Sequence, residues 1–259
     1  MAAMLFGLAD PSQVLIVFIA AVLAGAGNAV AGGGTNLSFP ILVWAGLPAV
    51  EANATNALGL SSGSVAAAWS YRKRIRETDP RWWWLVVPAV VGGTLGAWLL
   101  LALPPEWFTS IAPLLVIGAA ILVASDPVLR RHIRIGAGNG TVVAIGLMLL
   151  TSFYGGYFGA GIGILILVVL SLLGMPDLHQ ANGFKNMLAV AVKGVAVVIF
   201  IAQGRIIWGA AIVLLVGSTI GGWGAGYLVQ KLQPETLRWV VVTMGLAMGC
   251  IMVVRQYLL

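Results

Sequence analysis

The sequence predicts an all-α, polytopic membrane protein: a bundle of transmembrane helices built from two homologous halves with broken or re-entrant helices. This prediction rests on composition, on the length of the apolar runs and on an internal repeat. Of the 259 residues, 60% are hydrophobic and 8% are charged, whereas a soluble domain carries about 25% charged residues. A chain with so few charges could not cover a water-exposed surface with polar groups.

Apolar runs of nearly membrane-spanning length recur along the whole chain. A spanning helix needs about 20 mostly apolar residues. The runs are Val14–Val30, Trp82–Leu103, Phe108–Ala124, Thr141–Leu150 and onward, Met187–Ala202, Ile206–Val229 and Val240–Val254. We therefore expect a multi-pass protein that is surrounded by membrane lipid.

The charged residues are concentrated in short loops between these runs. The formal net charge is +6, and the two basic clusters are Tyr71–Arg81 (YRKRIRETDPR) and Arg130–Arg134 (RRHIR). Such loops lie on the cytoplasmic side under the positive-inside rule, so this charge does not indicate nucleic-acid binding. The single cysteine, Cys250, can form neither an intrachain disulfide nor a metal cluster, and no cofactor is predicted.

The two halves of the chain repeat unlike features in the same order. Four positions recur with identical spacing: Gly27, Gly33, Gly46 and Pro48 correspond to Gly155, Gly161, Gly174 and Pro176. Later matches are ANATN (52–56) with ANGFKN (181–186), GGTLGAW (92–98) with GSTIGGW (217–223), and Pro105-Glu106 with Pro234-Glu235. The repeat predicts a first half over residues 1–125, a basic linker over 126–140 and a second half over 141–259.

Loop charge favours an inverted orientation of the two halves. In the first half the loop after the Asn-bearing helix is strongly basic, and the next loop carries only Glu106. In the second half the first of these loops retains only Arg205, whereas the other gains Lys231 and Arg238. Opposite orientation produces such a reversal, and repeated halves commonly bind substrate near the membrane midplane where they meet.

Each half contains a glycine-rich break followed by a short apolar helix. In the first half Gly32–Gly34 interrupts the chain, and we read Thr35 and Asn36 as N-cap residues of a helix, with Pro40 in about its first turn, that ends at Gly46-Leu47-Pro48. In the second half GYFGAGIG (156–163) precedes ILILVVLSLLG (164–174). Non-helical backbone at membrane depth is tolerated only inside protein or beside a wet cavity.

A helix N-terminus in such a cavity presents free N–H groups and the positive end of the helix dipole, which suit an anion. We therefore expect one helix end from each half to converge on a small anion. The alternative is that the glycines only permit close helix packing, and the two roles are compatible.

Polar residues on the next helix strengthen the prediction of a site. Asn182, Asn186 and Lys193 fall on one stripe of a helix, with Lys185 to its side. In the first half Asn53, Asn56 and Ser64 form the matching stripe. A lysine within an apolar helix is a functional-site hypothesis by default; the alternative is that the lysines extend to the lipid headgroups.

These motifs resemble the TauE/SafE family of membrane permeases over nearly the whole chain. The resemblance is carried by the glycine breaks, by GLPAVEANATNALG (46–59), and by ANGFKN (181–186) with Lys193 seven residues further on. The second break reads GAGIG, which departs from a continuous glycine run. The resemblance implies a bacterial-type inner-membrane transporter of small sulfur-containing anions, often an exporter of sulfite or of an organosulfonate such as sulfoacetate.

The predicted substrate-binding residues comprise the helix breaks, the amides and the lysines: Gly33, Gly34, Thr35, Asn36, Gly161 and Gly163; Asn53, Asn56, Asn182 and Asn186; and Lys185 and Lys193. The membrane potential can drive the predicted export. An inside-negative potential favours anion exit by about 2.3 kcal/mol per charge per 100 mV, so export needs no ATPase, and no Walker motif occurs in the sequence.

Other readings predict different behaviour. Proton-coupled uptake and an anion channel are the alternatives within transport. A membrane enzyme acting on lipid phosphate would need a pair of acids at helical spacing, which the sequence lacks. We therefore expect no enzymatic activity, and association into a homo-oligomer is left open.

Overall fold

The computed structural model describes residue 8 and residues 10–31, 33–132, 140–173, 175, 178–228 and 234–257. Within these residues the chain is helical and contains no strand, so the all-α prediction is confirmed. The first part comprises α1 (Pro11–Ala31), α2 (Thr35–Trp44), α3 (Ala49–Gly59), α4 (Ser61–Ser70), α5 (Arg72–Arg76), a 3-10 turn (Pro80–Leu85), α6 (Val86–Ala102) and α7 (Pro105–His132). The second comprises α8 (Gly140–Tyr157), α9 (Ile162–Leu172), α10 (Leu178–Ala202), α11 (Trp208–Leu228) and α12 (Pro234–Tyr257).

Several helices are long and apolar enough to cross a membrane. Among the described residues there are five such spans: Pro11–Asn28, Trp82–Ala102, Pro105–Ser125, Gln180–Ala202 and Arg238–Tyr257. Large apolar side chains also face outward, for example Val142 at 77% exposure and Trp223 at 72%. A lipid environment accounts for this outward apolar surface, and the prediction of a polytopic membrane protein is confirmed.

Glycines allow the helices to pack at very short separation. A Cβ added at Gly221 of α11 would overlap the Val22 backbone of α1, and one at Gly96 of α6 would overlap the Phe153 carbonyl of α8. A Cβ added at Gly34 would likewise overlap the Ala24 carbonyl of α1. Close packing, the alternative raised for the glycines, is therefore one of their roles.

The packing joins the two predicted halves. Helix α1 packs along α11, α6 packs along α8, and α7 packs along α12. The last pair is antiparallel, because Gly249 faces Val116 and Ile117 while the Tyr257 hydroxyl donates to the Ser110 carbonyl at 2.6 Å. Helices α7 and α12 are the last helices of the two predicted halves. Because they run in opposite directions, a two-fold axis that relates them lies perpendicular to both. This packing supports the inverted orientation of the halves, which stays a prediction.

The division into halves also stays a prediction. The predicted linker over residues 126–140 can be compared with the end of helix α7. Residues 126–132 of the predicted linker continue helix α7, which ends at His132. The remainder of that linker, residues 133–139, lies outside the described residues.

The first break differs in detail from the sequence-based expectation. Thr35 and Asn36 lie inside α2, and the preceding Gly34 has helical dihedrals with no side-chain cap. The cap is supplied from α1 instead, because the Gly34 N–H donates to Asn28 Oδ1 at 3.1 Å. Pro40 lies in the interior of α2 rather than in its first turn, and Gly32 is outside the described residues.

The second break matches the expectation more closely. Helix α8 ends at Tyr157, and Gly159 and Gly161 adopt positive φ angles of 79° and 71°. Most L side chains are strained in this left-handed region. Helix α9 begins at Ile162, so Gly163 lies in its first turn. The Tyr154 hydroxyl donates to the Ala160 carbonyl at 2.8 Å, and this bond connects the last turns of α8 to the break.

Candidate functional site

A small polar cavity lies where α1, α4, α9 and α10 meet. Its lining residues are Asn28, Gly63, Ser64, Ile162, Gly163, Lys185, Asn186, Ala189 and Lys193. Its volume of about 20 Å³ is enough for one or two water molecules. Four of the predicted site residues line it: Gly163, Lys185, Asn186 and Lys193.

Lys193 brings a cation into the interior of the bundle. Its side chain is 6% exposed, and it lies well inside α10 (Leu178–Ala202). Within the described part of the chain, no hydrogen bond or ion pair involves Lys193. An ionised group in such a setting is costly unless another charge compensates it.

Lys185 lies at the same cavity but has a protein partner. Its side chain is 4% exposed, and its Nζ donates to Asn182 Oδ1 at 3.4 Å. Asn182 itself does not line the cavity. Both lysines are buried inside the bundle, which favours a role at the cavity over the alternative that they extend to the lipid headgroups.

The N-terminus of α9 completes one wall. Ile162 and Gly163 line the cavity, and the first N–H groups of an α-helix have no acceptor within the helix. Gly161, in the left-handed conformation, turns the chain into this helix. Backbone donors, the positive end of a helix dipole and two lysines are therefore concentrated at one place.

The predicted residues of the first half lie elsewhere. Gly33, Gly34, Thr35, Asn36, Asn53 and Asn56 do not line this cavity. Asn53 Nδ2 donates to the Tyr157 carbonyl at 3.0 Å, and the Ser38 hydroxyl donates to Asn56 Oδ1. Asn36 is fully buried beside Gly245 of α12. These contacts tie α2, α3 and the second break together, and a binding role for the six residues stays a prediction.

Asn36 and Asn53 carry buried amide atoms that form no hydrogen bond with the described residues. Neither amide atom of Asn36 has a hydrogen-bond partner among these residues, and the same holds for Asn53 Oδ1. Unpaired buried amides are uncommon in proteins. The first half therefore retains polar groups that could accept or donate a bond when the packing around them changes.

Five of the nine lining residues were not among the predicted substrate-binding residues, and two of these five, Asn28 and Ser64, have polar side chains. Ser64 lies on the polar stripe of the first half and corresponds in the repeat to Lys193, and this signal was present in the sequence. Asn28 is an isolated amide inside the first apolar run. Its only signal was its polarity within an apolar run.

No group of three His, Cys, Asp or Glu residues that could hold a metal ion occurs in the described ranges. Among the described residues that line the cavity, none is acidic. The site is therefore a cationic and amide-rich one, which suits an anion better than a cation.

Comparison with known proteins agrees with this architecture. A family model described as "Sulfite exporter TauE/SafE" matches residues 17–252. A "Probable membrane transporter protein" of Haemophilus influenzae is 25% identical over 242 residues, which cover 93% of this chain and 94% of the relative. The "Probable membrane transporter protein YfcA" of Escherichia coli strain K12 is 28% identical over 242 residues, or 93% of this chain and 89% of the relative.

A third relative, the "Probable membrane transporter protein ORF9" of a Sinorhizobium species, is 27% identical and covers 83% of each chain. No solved structure matches significantly. Because the family model covers most of the sequence, the chain belongs to the TauE/SafE family and is a multi-pass membrane transporter.

Proposed function

We propose that this transporter is a permease that exports a small sulfur-containing anion, sulfite or an organosulfonate such as sulfoacetate, across the inner membrane. The observation that carries the proposal is the buried Lys193 ammonium, which lines the cavity without a partner among the described residues. An anionic substrate supplies the missing counter-charge.

Three features of the cavity support an anion over other ligands. Lys185 and Lys193 contribute positive charge, and the N-terminus of α9 adds backbone donors. Asn186 offers an amide that can donate to an oxyanion. The described part of the lining contains no acidic residue that could serve as a charged ligand for a metal cation.

The size of the cavity bears on which sulfur anion enters. A volume of about 20 Å³ suits one or two water molecules, so a compact inorganic anion requires less widening than a sulfonate with a carbon skeleton. On this argument sulfite fits the cavity better than sulfoacetate. The name of the family, "Sulfite exporter TauE/SafE", supports the same assignment.

The same lining favours transport. Among the residues that the structure describes, it offers positive charge and hydrogen-bond donors for an anion, and the relatives are named as probable membrane transporters. The inside-negative membrane potential drives an anion outward by about 2.3 kcal/mol per charge per 100 mV. Export can therefore proceed without a second coupled ion.

The test is sulfite flux in proteoliposomes that contain the purified protein, with a potassium diffusion potential imposed by valinomycin. Saturable sulfite efflux that increases with the potential and is lost in Lys193→Ala is expected. The matched control is Lys73→Ala, which removes a lysine that is exposed on α5. Non-saturable conductance would indicate a channel, uptake driven by a pH gradient would indicate proton coupling, and flux equal to protein-free vesicles would refute the proposal.

A further inference from the structure

We propose that Asn28 is a substrate-binding residue whose side-chain N–H groups donate to the transported anion. This inference rests on the proposed function and adds a residue from the first half to a cavity that is otherwise built largely by the second half. Asn28 lies near the end of α1 and lines the cavity together with Asn186 and Lys193.

The orientation of the Asn28 amide follows from its hydrogen bond. The Gly34 N–H donates to Asn28 Oδ1 at 3.1 Å, so the oxygen faces the start of α2. The two N–H groups on Nδ2 are then directed away from that bond. Gly34 leaves room for this geometry, because a Cβ at its position would overlap the Ala24 carbonyl of α1.

The Nδ2 atom is buried and has no hydrogen-bond partner within the described residues. A buried donor without a partner is destabilising, since it has lost water and gained nothing in exchange. The Lys193 ammonium shares this property: neither group has a partner in the part of the chain that the structure describes, and both belong to residues that line one small cavity.

An oxyanion satisfies both groups at once. Sulfite and sulfonate oxygens accept hydrogen bonds, and a bond from a neutral donor to a charged acceptor is stronger than a neutral pair. The ammonium of Lys193, the amide of Asn28 and the N-terminal N–H groups of α9 provide donors from three separate elements. A carboxylate or phosphate could use the same donors, so the affinity series must compare these anions.

The contact also links the substrate to the first break. Asn28 bonds to Gly34 through its oxygen and, in this proposal, to the anion through its nitrogen. A residue that only held the break in place would influence protein stability but not the affinity for the anion. These two roles give different experimental outcomes.

The experiment measures sulfite affinity of the purified full-length protein by thermal shift and isothermal titration, with phosphate and acetate in parallel. Asn28→Leu preserves the approximate size and removes the donor, and it is expected to raise the sulfite Kd roughly tenfold or more. Asn28→Ser retains a hydroxyl donor, so its Kd should lie between those of the wild type and Asn28→Leu. Asn28→Ser is also the variant to use if Asn28→Leu does not fold.

The matched control is Thr55→Val. Thr55 Oγ1 accepts a bond from the Ile207 N–H at 3.0 Å, so this variant breaks a bond of the same kind, from a backbone N–H to a side-chain oxygen, away from the cavity. Its sulfite Kd should stay unchanged. An equal loss of affinity in Thr55→Val would overturn the inference, because the effect would then follow from any such broken bond.

Two further outcomes separate this inference from the proposed function. An unchanged Kd in both Asn28 variants, together with loss of binding in Lys193→Ala, would overturn the role of Asn28 and leave the anion permease intact. If the wild-type protein binds only phosphate or acetate, or no anion, the sulfur-anion proposal itself fails.

Discussion

The Arg205 guanidinium donates from Nη1 to Glu51 Oε1 at 2.8 Å and forms an ion pair with it. The pair connects the first turn of α3 to the link between α10 and α11. In the same region the Ile207 N–H donates to Thr55 Oγ1 at 3.0 Å. One charged and one neutral contact therefore join helix α3 to this link, in addition to the bond from Asn53 to the Tyr157 carbonyl.

We expect Glu51→Gln to lower the free energy of unfolding only slightly, by roughly 0.2–1 kcal/mol, because the pair is partly exposed to solvent. The Arg205 and Glu51 side chains are 41% and 23% exposed. Thermal unfolding of the single variants and of Glu51→Gln with Arg205→Gln gives the coupling energy. High salt should reduce that energy, and a coupling that is zero at low salt would contradict the ion pair.

A second prediction concerns the stability cost of the buried lysine. Lys193→Met replaces an unpaired buried cation by an apolar side chain of similar length, so the anion-free protein should become equally or more stable. The variant should also lose stabilisation by sulfite, which for a wild-type site at 100 times its Kd amounts to about 2.7 kcal/mol. The measurement is the thermal midpoint with and without sulfite.

The control for this variant is Lys73→Met, an exposed lysine on α5. It should change neither the anion-free midpoint nor the response to sulfite. A Lys193→Met protein that remains fully responsive to sulfite would show that the cavity binds its anion without this charge.

A third prediction tests the packing of α6 against α8. Gly156→Ala places a methyl group against the Gly93 backbone, where an added Cβ overlaps it, so the helices must separate. Overpacking of this kind costs typically 1–3 kcal/mol. The matched control is Gly194→Ala on α10, which has open space around its Cβ position and should stabilise the helix by up to about 1 kcal/mol. Equal midpoints for the two variants would contradict the close approach.

The sequence was sufficient to predict the helices but not all of their ends. Apolar runs such as Val240–Val254 fall within the observed α12 because length and composition alone determine whether a segment can span lipid. The start of α2 was mispredicted because its cap comes from Asn28, a residue on another helix. Local sequence rules describe side chains that cap their own helix and cannot identify a distant donor or acceptor.

The same limit applies to the site. Helical periodicity grouped Asn182, Asn186 and Lys193 on one stripe, and of these three Asn186 and Lys193 line the cavity. It placed Lys185 to one side, yet the long Lys185 side chain also reaches the cavity. Asn28 and Asn36 are chemically identical, but one lines the cavity and the other lies against Gly245. Only the packing of helices that are distant in sequence separates their roles.

The last prediction concerns Gly161, which precedes α9 with a φ of 71°. Gly161→Ala places a Cβ in the left-handed region, which costs roughly 1–2 kcal/mol, and this Cβ would also lie 3.2 Å from Leu122 Cδ2. The strain is relieved most readily if the turn rotates, which moves the N-terminus of α9 away from the cavity. We therefore expect lower thermal stability together with a higher sulfite KM in proteoliposome flux.

Gly204→Ala separates these two effects. Gly204 has a φ of 65° in the turn after α10, and nothing lies within 4 Å of its Cβ position. Its substitution imposes similar backbone strain at a distance from the cavity, so stability should fall by a comparable amount while the sulfite KM stays constant. If both variants raise the KM equally, the effect comes from general destabilisation, and the N-terminus of α9 does not contribute specifically to anion binding.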